Sequence, residues 1–312
     1  MELLSSQMQM LQDLDYFIFC SSSDGRAYEV LSKIDFTKKT GAIALHFKER
    51  IIEKDSSDQL FYYKKFKIKN LNEIGCEIKN PSSSLLELEK INFNNSKKIG
   101  IDISCLTKPY FYFLIRLFKS RFGISELTVF YTEPQSYDFP DGLFSAFHSS
   151  SGPLSVIEID GYVGEPEARN AKRKLIILLG FDGDLSNEIS EVVSPKETIV
   201  VNGFPAYSQK FKDISLVTNE RLASNINIDI EYARANNPFD TYNLLDSIKR
   251  SEKTETSISI APLGTKPMAL GACLFALHNP DVRIMYPMPE KYDDKYSSNI
   301  WHSWLYHLPL IV

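Results

Sequence analysis

Apolar positions along the chain fall into two alternating patterns. Short runs rich in β-branched and aromatic residues, bounded by Ser, Asp, Gly or Pro, predict strands; stretches with apolar positions every three to four residues predict helices. In the first half, strands are expected over 16–25, where an apolar run ends in Ser, Asp and Gly, and at 42–46, 99–106 and 127–131, with helices through Leu31 and at about 83–91 and 110–122. The aromatic stretch 60–68 is a candidate edge strand, after a charged loop through Ser57. In the second half, strands are expected at 174–179, 198–201, 226–230, 258–264 and 282–286, with helices at about 185–193, 209–223, 239–250 and 268–277. Strands separated by helices predict βαβ units around mostly parallel sheets, an α/β fold.

Spacing adds a duplication. The strand that opens at Tyr16 ends in Ser21-Ser22-Ser23-Asp24-Gly25, and the strand that opens at Lys174 ends in Gly180-Phe181-Asp182-Gly183; 182 − 24 is 158. A second strand pair ends at Thr107-Lys108-Pro109 and at Thr265-Lys266-Pro267; 265 − 107 is again 158. Further on, Thr-Glu-Pro134 corresponds to Pro-Met-Pro289 with an offset of 155, so the second copy has lost three residues in between. Two unrelated motifs at one offset predict two Rossmann-like halves related by internal duplication. The expected divisions are 1–140 for the first half, 141–173 for a linker or arm in which 154–159 adds a short strand, and 174–312 for the second half with an aromatic C-terminal tail.

Composition narrows the class without naming a function. Apolar residues make up 43% and charged residues 24% of the 312, the balance of a globular protein rather than a disordered one. The formal charge of −5 argues against general nucleic-acid binding. The alternating basic stretch 64–69 reads as a half-exposed strand. No apolar run reaches the roughly 18 residues of a membrane span, and residues 1–15 lack the pattern of a signal peptide, so the expected location is cytoplasmic. Cys20, Cys76, Cys105 and Cys273 are widely spaced and read as reduced core thiols. The five histidines show no metal-binding spacing: His302 and His307 are five apart, outside the i, i+4 pairing of a helical zinc site. The tail around Trp301 and Trp304 is apolar enough to dock on the protein itself or on a partner.

Both repeated motifs lie where open α/β sheets bind ligands, beyond the carboxyl ends of the strands. In the second turn Gly264 allows a tight bend, Thr265 caps a helix while offering a hydroxyl, and Lys266 adds positive charge at the positive end of the helix dipole. Pro267 suits the first helical turn. This describes an anion-facing turn, with phosphate as the natural ligand; it is not a P-loop, whose spacing is absent. In the first half the matching residues are Thr107 and Lys108, with Ser22, Ser23 and Asp24 at the neighbouring strand end. Asp24 and Asp102 are candidates for an acid/base role.

The segments Asp102-Ile-Ser-Cys-Leu-Thr107-Lys108 and Gly264-Thr265-Lys266-Pro267-Met268 resemble the D-x-T-G-G-T-K-x-M turn of CRISPR-associated Rossmann-fold (CARF) sensor domains. Ser21–Gly25 resembles that family's second, Ser/Gly-rich element. Cys105 and Leu106 stand where the family has two glycines, and only the second copy keeps one, Gly264. The resemblance implies a sensor of nucleotides, cyclic oligoadenylates in that family, and a place in prokaryotic antiviral defence. The expected function is therefore a nucleotide- or phosphometabolite-binding regulatory subunit, acting through a protein partner or a second copy, with no membrane and no direct nucleic-acid contact. Two alternatives stay open: a hydrolase of phosphodiester or N-glycosidic bonds, and an assembly subunit that binds no ligand. The sequence does not identify a cofactor.

Overall fold

The computed structural model describes residues 11, 13–36, 40–50, 66–68, 70–93, 98–137, 150–151, 155–166, 171–206, 209–223, 228–252, 256–288, 291–292 and 297–311. The chain forms two compact units, Met1–Asp138 with Asp294–Val312, and Phe139–Asp293.

The first unit contains β1 (Tyr16–Ser21), β2 (Gly41–Phe47), β3 (Leu71–Cys76), β4 (Ile99–Asp102) and β5 (Glu126–Tyr137), with helices α1 (Pro81–Leu85) and α2 (Lys108–Ser120). β1 is buried along nearly its whole length, as expected of a central parallel strand covered on both faces. It pairs in parallel with β2 on one side and β4 on the other. Phe17 stacks on Phe19 and meets Phe130 edge to face, with ring centroids 6.1 and 5.7 Å apart. α2 opens with Pro109 in its first turn, and buries Tyr110, Phe111, Tyr112, Leu114, Ile115, Leu117 and Phe118. So many large apolar residues commit most of the helix circumference to packing.

The second unit contains β6 (Ser150–Ser151), β7 (Ser155–Val163), β8 (Lys172–Leu178), α3 (Gly183–Val193), β9 (Glu197–Gly203), α4 (Gln209–Thr218) and α5 (Glu220–Ala223). It continues through β10 (Ile228–Ala233), α6 (Pro238–Ser251), β11 (Thr256–Pro262), α7 (Lys266–His278), β12 (Arg283–Met288) and β13 (Lys291–Tyr292). Leu175, Ile177, Val200 and Ala261 from its strands pack with Ile189, Val193 and Leu222 from its helices in one buried cluster. The last strand of the chain is β14 (Ser297–Pro309).

Strand order shows the duplication directly. The first sheet runs β14-β5-β4-β1-β2-β3, and the second, written in the same sense, runs β7-β12-β11-β8-β9-β10. Each has a parallel core in the order 3-2-1-4-5, closed by an antiparallel strand on the fifth. The protein is thus an α/β chain of two Rossmann-like units with like topology. Register refines the constant offset: Ile18 pairs with Ile101 and Ile176 with Ile260. The offset is 158 for the first strand (176 − 18) and 159 for the fourth (260 − 101), so one residue fewer leads from the fourth strand to Thr265 than to Thr107.

Three expectations change. The edge strand of the first sheet is β3, not residues 60–68; of that segment, residues 60–65 lie outside the described residues and 66–68 are not strand. The arm 154–159 is part of β7, a full edge strand of the second sheet. The aromatic tail, expected as part of the second half, belongs to the first sheet, where β14 pairs with β5 from Pro309↔Glu126 to Ser297↔Tyr137. The reason is edge availability: β7 already occupies the outer edge of β12, whereas the outer edge of β5 is open to β14. In chain order β7 follows β5 and β14 follows β12, so each unit's closing strand is reached from the other unit's fifth strand.

Pairing with β14 also lengthens β5. Its bonding to β4 ends at Phe130, yet the strand continues to Tyr137 because β14 supplies partners that far. The register shifts between Ile300 and Ser303, placing Trp301 and His302 opposite Glu133 in a bulge. Glu133 is buried and accepts a hydrogen bond from the Trp304 indole N–H at 3.0 Å. Burial pushes its carboxyl up to about 7, with the indole bond partly opposing the shift. Nearer the end of β14, Tyr306, Leu308 and Leu310 are buried.

Two predictions follow from this strand pair. Leu308→Ala should cost about 2–5 kcal/mol of stability, read by urea unfolding through tryptophan fluorescence, since both tryptophans of the chain lie on β14. Glu133 retains in the fold a proton that the unfolded chain releases near 4.5, so its contribution to stability falls as pH rises from about 4.5 to about 7. Glu133→Gln cannot ionise and should be more stable than the parent at pH 8, by on the order of 3 kcal/mol, with the difference shrinking at pH 5. An equal offset at both pH values would show that the carboxyl does not titrate in this way.

Candidate functional site

In each sheet the first strand lies beside the fourth, so the segments leaving their carboxyl ends flank the switch point where open α/β sheets form a ligand crevice. In the first unit, β1 ends at Ser21, which is buried. The Ser22 hydroxyl accepts the Asp24 N–H at 3.2 Å, and Ser23 is exposed. Asp24 caps a single 3₁₀ turn, Gly25–Tyr28, taking the Arg26 N–H on Oδ1 at 2.9 Å. The buried Arg26 guanidinium also grips the same carboxylate, Nε at 3.1 and 3.0 Å and Nη2 at 2.6 Å. This two-pronged geometry suits arginine and neutralises the acid at the mouth of the crevice.

β4 delivers Asp102, buried, whose Oδ1 accepts the Ser104 N–H at 2.8 Å. The Ser104 hydroxyl accepts the Thr132 N–H at 2.7 Å, and the Thr132 and Ser303 hydroxyls lie 2.9 Å apart. The loop that carries the first Thr-Lys-Pro turn is thereby tied to β5 and through it to β14. Thr107 stands at the cap position of α2 in extended conformation, its carbonyl accepting the Tyr110 and Phe111 N–H groups at 3.1 and 3.3 Å. Its side chain makes no capping bond, and its buried hydroxyl has no hydrogen-bond partner among the described residues. Lys108, half-buried, is the first helical residue.

The second unit places Asp182 at the cap of α3, with Oδ1 accepting the Leu185 N–H at 3.4 Å, and Thr265 at the cap of α7. Here the threonine hydroxyl is fully engaged. It donates to the Ala235 carbonyl at 2.5 Å and accepts the Met268 N–H at 3.4 Å. Gly264, expected to let a ligand come close, lies against its own chain: a Cβ there would be 3.1 Å from the Leu179 carbonyl oxygen and 3.3 Å from the Met268 sulfur. At Gly180 a Cβ would be only 2.5 Å from the Leu263 carbonyl oxygen. The loops after β8 and β11 therefore meet backbone to backbone. Asn219 anchors the first of them, its side-chain amide donating to the Gly180 carbonyl at 2.9 Å and the Ser215 carbonyl at 2.7 Å.

Ser22, Ser23, Asp24, Asp102, Thr107 and Lys108 thus gather at the carboxyl ends of adjacent strands in the first unit, and Gly264, Thr265 and Lys266 at the matching place in the second. Arg26, Glu133 and Asn219 escape the sequence reading. Only Arg26 carries a local signal, an arginine two residues after a capping aspartate. Glu133 sits in a Thr-Glu-Pro segment that reads as loop until β14 turns it into strand. The four cysteines are buried and free, and burial pushes the Cys76 thiol up to about 12, leaving it inert at neutral pH. Among the described residues no group of three or more His, Cys, Asp or Glu is placed to hold a metal, and no helix is long and apolar enough to cross a membrane.

No family model and no curated protein matches the chain. Among solved structures, it is similar to a functionally unknown protein from Pseudomonas aeruginosa, at 9% identity over 90% of this chain and 94% of that one, with a TM-score of 0.27. It is similar to the cytoplasmic domain of a prokaryotic cation chloride cotransporter, at 11% identity over 89% and 97%, TM-score 0.28. A universal stress protein from Archaeoglobus fulgidus matches at 12% identity over 91% and 98%, TM-score 0.27. Likeness at this level carries no functional weight, and the fold class rests on the strand order and register of the two sheets.

Proposed function

We propose that the protein binds a nucleotide or another phosphorylated metabolite and acts as a sensor or regulatory subunit. One observation carries the reading: beside the first strand of each sheet, a Thr-Lys-Pro turn opens a 13-residue helix whose body is buried. Aligned peptide dipoles put partial positive charge at such a helix start, and the lysine adds a full one. Burial of the helix body holds that start in a set direction, so an anion meets a preorganised site. The ligand would extend across Ser22–Asp24 and Thr107–Lys108 in the first unit, or reach Gly264–Lys266 in the second.

The motif resemblance to CARF sensors supports a nucleotide over other phosphates, and it alone supports a role in antiviral defence. Output from such a protein passes to a protein partner or a second copy. A hydrolase using Asp24 or Asp102 as base has less support, because both carboxylates already accept backbone N–H donors and Asp24 also holds Arg26.

Mass spectrometry of small molecules released from the purified protein should identify a phosphorylated compound. Lys108→Ala combined with Lys266→Ala should weaken binding of that compound, or of ATP if none co-purifies, at least tenfold by calorimetry. A charge-assisted bond of about 1.5–3 kcal/mol corresponds to that loss. Neither lysine favours its helix dipole, so the melting temperature of the ligand-free double variant should be unchanged or slightly raised. Binding equal to the parent's would end this reading.

A further inference from the structure

We infer that the two turns are not equivalent: the first unit's turn receives the ligand, and the second unit's turn has become structural. The inference rests on the reading of the Thr-Lys-Pro turns as anion sites and asks which of them keeps that role.

Three differences point the same way. The first is the threonine hydroxyl. Thr107 and Thr265 share extended cap geometry, with φ and ψ of −71° and 156° against −60° and 157°. The Thr265 hydroxyl donates to Ala235 and accepts from Met268, so an incoming phosphate would have to break the fold's own bonds. Thr107 is only 6% exposed, and its hydroxyl has no partner among the described residues. A buried hydroxyl without a partner is costly to keep. Turning it towards a phosphate oxygen at the start of α2 sacrifices no bond and satisfies the group.

The second difference is charge. By the offset of 158, Arg26 corresponds to Asp184 (26 + 158). In the first unit Asp24 is therefore followed by the arginine that grips it at 2.6 Å, whereas in the second Asp182 is followed by a second acid. The residues 24 and 26 sum to zero formal charge and the residues 182 and 184 to −2, and an anion is repelled from the second crevice. Asp102 adds one negative charge to the first unit where the second has the apolar Ala261 (102 + 159), so the sums become −1 and −2 and the difference narrows but keeps its sign.

The third difference is space. In the second unit Gly180 lies against the Leu263 carbonyl and Gly264 against the Leu179 carbonyl, with a Cβ distance of 2.5 Å at Gly180, so backbone fills the place between the two loops. The corresponding position to Gly180 in the first unit is Ser22 (180 − 158), which has a side chain and so precludes the same backbone contact.

The test uses the full chain and inorganic pyrophosphate, which carries only the anion chemistry, followed by ³¹P line broadening. Thr107→Val and Lys108→Ala should each weaken pyrophosphate binding at least tenfold, and Thr265→Val and Lys266→Ala should leave it within twofold of the parent. Without ligand, Thr107→Val should melt at or above the parent temperature, because it loses only an unpartnered hydroxyl. Thr265→Val should melt lower, and Thr265→Ser should recover most of the difference. If Thr265→Val does not fold, Lys266→Ala carries the second-unit arm. Loss confined to the second-unit variants, or shared equally by both pairs, overturns the inference while leaving the anion-binding function in place. No loss in any variant, or no pyrophosphate binding by the parent, overturns both.

Discussion

Parallel pairing of the first strand with the fourth, β1 with β4 and β8 with β11, is the constraint on which the carboxyl edge of each unit depends. The chain lays down its first three strands outward in one direction, then returns to the first strand and continues on its other side. That reversal separates the loop after the first strand from the loop after the fourth and leaves a crevice between them. Every residue of the candidate site reaches the crevice by this route. Ser22–Asp24 leave β1 and Asp102–Lys108 leave β4, two strands paired side by side from Tyr16↔Ile99 to Ile18↔Ile101.

The same scaffold carries different local physics in its two copies. In the second unit, glycine permits backbone contact, Thr265 ties its turn to Ala235, and Asn219 ties the neighbouring loop to the helix end. Each of these bonds makes the region a better-packed piece of core and a poorer receptor. In the first unit, hydrogen bonds run instead outward through Ser104, Thr132 and Ser303 to the closing strand. The path connects the Thr107 turn to β14, and so to Trp304 and the buried Glu133 beside it. Polar groups in that region are engaged with the sheet edge, and the turn itself retains an unsatisfied hydroxyl.

Local sequence determined most of the element pattern and the duplication. Strand cores are continuous apolar runs, helix starts carry Thr, Asp and Pro, and these signals act within a few residues, so Asp24 with Asp182 and Thr107 with Thr265 could be matched by spacing alone. Their topological equivalence then follows from the strand order. Where residues lacked strong local preference, neighbours decided. Leu71–Cys76, with Asn, Glu and Gly among its six residues, becomes a strand because β2 offers it an edge. Glu133 becomes a buried strand residue because β14 pairs beside it.

Which sheet β14 joins was likewise beyond the reach of local pattern. Its apolar and aromatic residues declare that the segment must be covered, but pairing partners are chosen by which edge stands open, and that is a property of the assembled sheets. The same holds for the site. The sequence by itself determined that two Thr-Lys-Pro turns begin two buried helices. Only the tertiary structure decided that one threonine hydroxyl is consumed by the carbonyl of Ala235 while the other is left without a partner among the described residues, because hydrogen bonds between residues 30 apart depend on where the sheet brings the chain back.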